Sequence, residues 1–196
     1  MVKAIPRKAV TSVAIGMILM AVFTIWWSSL IVYVFPSMLG FVVLGGFVLI
    51  SLALGIESIR VFRLARAFPK STSPADQAEG KRIGRAYGLI FGIEGAAIGI
   101  ASGVLGASGH ESFIIPVIAL IVGLHFYPMA KLFHRTIDYY LATWVCAIAL
   151  SGIFCVFTSV VSVPQIWAGV GFGVACATTA YGVYMVRYAR RLPEPA

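Results

Sequence analysis

Charged side chains are scarce in this sequence: Asp, Glu, Lys and Arg make up 11% of 196 residues, while 60% are hydrophobic and the mean hydropathy is +0.97. That shortage excludes a water-soluble globular domain, which needs far more polar surface to face solvent. Cysteine is nearly as rare. Cys146, Cys155 and Cys176 all lie in long apolar runs without CxxC spacing, so they read as small packing thiols rather than as a disulfide framework or a reactive or metal-binding motif. The three histidines are His110, His125 and His134, with no HExxH, no paired HxxxH and no Cys/His cluster. Neither a metal site nor a haem follows from them. A Walker loop, a GxSxG nucleophile and a dinucleotide fingerprint are also missing, so no motif specifies an enzyme and no cofactor is expected.

What the chain does contain is apolar sequence in six runs, at about 10–34, 38–59, 86–107, 113–132, 139–161 and 165–187. Each is near the roughly 20 residues that a helix needs to cross about 30 Å of hydrocarbon at 1.5 Å per residue. Alternating strand patterning is absent, which favours helices over a barrel. The first run follows Lys3, Arg7 and Lys8 but is too long for a signal's apolar core and has no convincing small-x-small cleavage site after it; it reads as a retained first span. Short connections around Pro36, from Gly106 to Ser112, and around Pro164 force neighbouring spans into hairpins. The expected fold is an all-α integral membrane protein: one compact six-helix domain over residues 1–196, arranged as three consecutive hairpins, with one long connection at about 61–85. The middle of that connection, Pro69 to Gly80, reads as a solvated loop.

Positive charge is confined to one side. Lys3, Arg7 and Lys8 precede span one; Arg60, Arg63, Arg66, Lys70, Lys81, Arg82 and Arg85 lie between spans two and three; Lys131 and Arg135 lie between four and five; Arg187, Arg190 and Arg191 follow six. The loops on the other side carry His110 and Glu111 and no Lys or Arg. Both termini are therefore expected in the cytoplasm, in a plasma or bacterial inner membrane. The formal net charge of +8 is explained by this topology, and no specific nucleic-acid partner is needed to account for it; the lipid bilayer is the expected environment.

The even-numbered spans end alike. The stretches from Gly55, Gly123 and Gly182 align without gaps, placing Glu57, His125 and Tyr184 two positions later and Arg63, Lys131 and Arg190 eight positions later. Three hairpins of similar plan would produce this pattern, and so would the basic endings that every inward-running helix acquires.

Few polar groups fall inside the spans, and each must be satisfied there. Glu94 lies nine residues after Arg85, about 13 Å along a helix and near mid-span. A carboxylate at that depth is expensive, roughly 2.5–3.5 kcal/mol on insertion scales measured for Asp, so it should face other helices and pair, bind a cation or take up a proton. Gly84, Gly88 and Gly92 are spaced by four on the same span, as are Gly95, Gly99 and Gly103. Such rows permit close helix approach, and the small residues Gly169, Gly173, Ala177 and Ala180 of span six are the expected mate. His125 precedes Lys131 by six residues, about 9 Å, which is shallower than Glu94. Pro128 removes a backbone donor and presses on the carbonyl of Leu124, so it is the expected site of helix distortion beside His125. Glu57 precedes Arg60 by three and reads as a local ion pair that could also line an inner mouth. Asp138, three after Arg135 and just before span five, reads as an interface carboxylate.

Together these features point to a small multi-pass transporter or channel-like permease, proton- or cation-coupled through Glu94 and His125, with a homodimer supplying the helices that one protomer lacks. The alternative is a non-transporting scaffold, sensor partner or assembly factor in which the same residues hold helices together.

Overall fold

The computed structural model describes residues 5–70 and 73–192. It is all-helical over that range, with α1 at Arg7–Val34, α2 at Met38–Ala65, α3 at Pro74–Ala107, α4 at Ile114–Phe133, α5 at Thr136–Thr158 and α6 at Val163–Arg190. All six are long and apolar enough to span a membrane. Their outer surface is rich in large hydrophobic side chains such as Leu39, Leu49, Leu89, Ile100 and Phe154.

Local sequence explains where the helices begin. Ser37 caps α2 by accepting from the Gly40 amide at 3.5 Å, and Ser162 begins α6 in a capping box with Gln165, beside Pro164 in the first turn. The expected long loop is much shorter than its composition suggests. Ser73 accepts from the Asp76 amide at 3.1 Å, Pro74 occupies the first helical position, and Glu79 pairs with Arg82 one turn later. These three devices start α3 about three turns before its apolar run, so most of the stretch expected to be solvated loop is helical.

α6 lies at the centre of the fold. It packs on α1, α2, α4 and α5, and the lateral order runs α2, α1, α6, α5, α4, α3. α1 and α6 meet closely because α6 is small-sided: a Cβ at Gly171 would stand 2.6 Å from the Trp27 carbonyl oxygen, and one at Gly182 would stand 2.5 Å from Leu54 of α2. Between these positions Thr24 and Thr178 join α1 to α6 by a buried 2.7 Å hydroxyl hydrogen bond. Ser58 ties α2 to α1 by donating to the Ala14 carbonyl at 2.8 Å. On the opposite flank of α6, Gly173 receives Ile148 of α5, and its carbonyl accepts from the Trp144 indole at 3.0 Å.

Two expectations change here. The small residues of α6 face α1, α2 and α5, so they are not the mate of the α3 glycines. α3 instead stands at the edge of the bundle against α4, with no fully buried residue among its 34. The three aligned glycines of the even-numbered helices also have different surroundings. Gly123 lies against Cys146 and Gly182 against Leu54, while Gly55 has nothing within 4 Å of a built Cβ.

These contacts predict a contrast between two glycines. Gly171→Ala should destabilise the monomer by about 1–3 kcal/mol in unfolding from mixed micelles, because the added methyl meets backbone. Gly99→Ala, in open space, should change it by less than about 1 kcal/mol. Equal losses would mean that the α1–α6 approach is not as described.

Candidate functional site

α3 carries its half-buried residues in one stripe that includes Tyr87, Phe91, Glu94, Ala97, Ile98 and Ser102, separated by three or four positions. That periodicity turns Glu94 toward α4 and leaves Gly88, Gly92, Gly95, Gly99 and Gly103 on the outward side. Among the described residues, nothing comes within 4 Å of a Cβ built at any of these glycines.

Glu94 and His125 meet across the α3–α4 contact. Oε1 of Glu94 lies 3.2 Å from Nδ1 of His125, with side-chain exposures of 10% and 9%. The separation suits an ion pair, although the angle at Nδ1 falls short of a hydrogen bond. Phe91 packs beside the imidazole at 5.3 Å between ring centroids, and Phe126 lies on its other side at 4.2 Å. Tyr87 stacks next to Phe91 at 4.5 Å. The pair is thus enclosed by rings, which weakens competition from water and strengthens whatever interaction the two groups make.

α4 runs unbroken through Pro128, which is exposed. The helix absorbs the missing amide within its last two turns and ends at His134, whose backbone is left-handed at φ 52° and ψ 43°. That reversal starts α5 only two residues later and folds Arg135 back over the Phe133 ring at 4.8 Å.

The same turn buries a residue that its sequence position disguises. Asp138 is 0% exposed, and neither of its carboxylate oxygens has a hydrogen-bond partner. Read from the sequence as an interface carboxylate, it is enclosed by the packing of α4, α5 and α6. Tyr181 of α6 and Arg135 face it; the guanidinium donates to the Tyr181 hydroxyl at 3.3 Å rather than pairing with the carboxylate. His125 is within electrostatic range, and the Phe126 ring next to it lies 5.9 Å from that of Tyr181. Tyr184 continues the stack beyond Tyr181 at 6.2 Å. Spacing after Arg135 favoured a surface pair, and only the fact that Asp138 opens an otherwise apolar helix hinted at burial.

Glu57 lies apart from this cluster. It pairs with Arg190 of α6 and sits 3.8 Å from Arg60, so it ties α2 to α6 at the basic end of the bundle. Surface grooves indent the described bundle, among them one lined by residues such as Phe35, Val43 and Phe172 and another by Tyr140, Trp144 and Ala180. Both are apolar, and neither includes Glu57, Glu94 or His125. Among the described residues, no three His, Cys, Asp or Glu side chains gather to hold a metal ion.

The Glu94–His125 contact predicts strong non-additivity. His125→Leu leaves a buried carboxylate alone and should cost about 3 kcal/mol, whereas Glu94→Leu with His125→Leu should cost less than His125→Leu by itself. Unfolding free energies of the four chains in mixed micelles check this; additive losses would mean that the pair contributes nothing as a pair. No family model matches this chain, and no curated protein or solved structure matches it either.

Proposed function

We propose that this chain is a small multi-pass transporter or channel-like permease of a plasma or bacterial inner membrane, coupled to protons or another cation. In this reading both termini and the α2–α3 and α4–α5 connections lie on the cytoplasmic side, where all the Lys and Arg residues fall. The observation that carries the proposal is the Glu94–His125 contact at 3.2 Å, enclosed between two apolar helices away from either end. A carboxylate and an imidazole at that depth exchange charge states at modest cost only when a proton or cation arrives or leaves. Of the six helices, α3 is the element positioned to move, because it packs mainly on α4 at the edge of the bundle.

A homodimer belongs to the same proposal. The open glycine face of α3 is the surface a second copy would cover, placing two Glu94–His125 pairs near a shared seam. Gly99→Ala, neutral for the monomer, would then weaken association.

The same enclosure favours the second reading, a scaffold, sensor partner or assembly factor in which Glu94 and His125 only hold α3 to α4. Electrical recording from proteoliposomes on a solid support separates the two. Jumps in pH, sodium or potassium, applied with a panel of small solutes, should produce currents that Glu94→Gln reduces at least tenfold while the chain remains folded. Silence under every condition would leave the scaffold reading.

A further inference from the structure

We propose that Asp138 is a second proton site, and that the coupling ion is H⁺ rather than a metal cation. The inference deepens the transport reading and rests on it for its physiological role. It stands on the geometry around one residue. The Asp138 carboxyl is wholly buried, and the groups that reach it, the Tyr181 hydroxyl and the Arg135 guanidinium, make neither a well-aligned hydrogen bond nor an ion pair with it. An ionised carboxylate inside a low-dielectric bundle with no well-aligned partner is disfavoured, and binding one proton removes the charge at once.

The ionisable groups that face it are Arg135 from the turn before α5, His125 from α4 and Tyr181 from α6. This surrounding set discriminates against a metal ion. Arg135 is fixed on the Tyr181 hydroxyl at 3.3 Å, so a cation at Asp138 would meet a guanidinium and lack further anionic ligands; no cluster of three His, Cys, Asp or Glu forms among the described residues. A proton needs only the one oxygen. Loading is a simple addition: a carboxylate oxygen takes H⁺ from a hydronium at the basic end, an O–H bond forms, and water is released. Asp138 and His125 are close enough for the charge on one to bias the other without direct contact. A positive His125 favours ionised Asp138, so a proton arriving at one site assists release from the other.

The sequence makes the test selective, because Asp76 and Asp138 are its only aspartates, and Asp76 lies at the cap of α3. Infrared spectra of the whole chain in nanodiscs at neutral pH should contain the carbonyl stretch of a protonated carboxylic acid. That band should move to lower frequency on ¹³C-aspartate labelling, a readout that needs no variant to fold. It should persist in Glu94→Gln, disappear in Asp138→Asn, and titrate away at alkaline pH. Replacing the facing imidazole by His125→Asn should shift the pH at which the band disappears. Sodium or potassium at constant pH should leave the band unchanged.

Absence of an aspartate-labelled band, or its loss on adding sodium or potassium, overturns the inference. An unmoved titration in His125→Asn overturns the coupling between the sites. Currents without the band would leave transport standing and remove Asp138 from it. The complete band behaviour without any current would instead sink the transport reading and make the protonated carboxyl a structural one.

Discussion

Polar side chains in an apolar helical bundle have no water to fall back on, so each helix bearing one is tied to whichever neighbour can satisfy it. Glu94 imposes this on α3. The helix contributes no fully buried residue and stands on α4 alone along most of its length, yet its one mid-helix carboxylate reaches His125 through a sheath of Phe91 and Phe126. The other five helices are held by extensive apolar packing supplemented by contacts such as Thr24–Thr178 and Ser58–Ala14. For α3 the direction it faces is set by where the carboxylate must point, and the glycine row is left outward as a consequence.

The bundle is therefore uneven. Its firm part is built around α6, where Gly171, Thr178 and Gly182 admit Trp27, Thr24 and Leu54 at close range. Its looser part is α3 on α4, and the acid–imidazole pair lies at that junction. A group that changes charge at the most weakly attached helix is well placed to convert protonation into movement, since the contact it controls is a large share of what holds that helix. Asp138 lies buried at the firm junction of α4, α5 and α6. Two acids in contrasting mechanical settings give the transport proposal both a mobile site and a fixed one.

Much of the fold was legible in the sequence because an apolar run of about 20 residues has few structural outcomes. The observed helix ends fall within a few residues of the runs except where α2 and α3 extend past them into basic sequence. The start of α3 was readable in principle, since Ser73, Pro74 and Asp76 form a helix-opening signature that loop-like composition overshadowed. Glu94 and His125 were identifiable by depth, because α3 and α4 run oppositely and their distances from Arg85 and Lys131 place them at neighbouring heights. Asp138 was not. Its burial depends on the left-handed turn at His134 and on the approach of Tyr181 from a helix more than 40 positions away, neither of which local spacing encodes. The glycine row was visible too, but which helix it meets is a tertiary fact, and α6 spends its small residues on α1, α2 and α5.

The central claim, that Glu94 and His125 share a charge-dependent contact inside the bundle, is tested most directly by the imidazole nitrogens themselves. With three histidines in the chain, solid-state NMR of ¹⁵N-histidine-labelled protein in lipid bilayers, assigned through His110→Asn and His134→Asn, isolates His125. The account predicts a pair of ring-nitrogen resonances displaced from those of a free imidazole, with Nδ1 bearing the proton and moving when Glu94 is replaced by Gln. A His125 spectrum of an ordinary neutral imidazole, unchanged by Glu94→Gln, would contradict it.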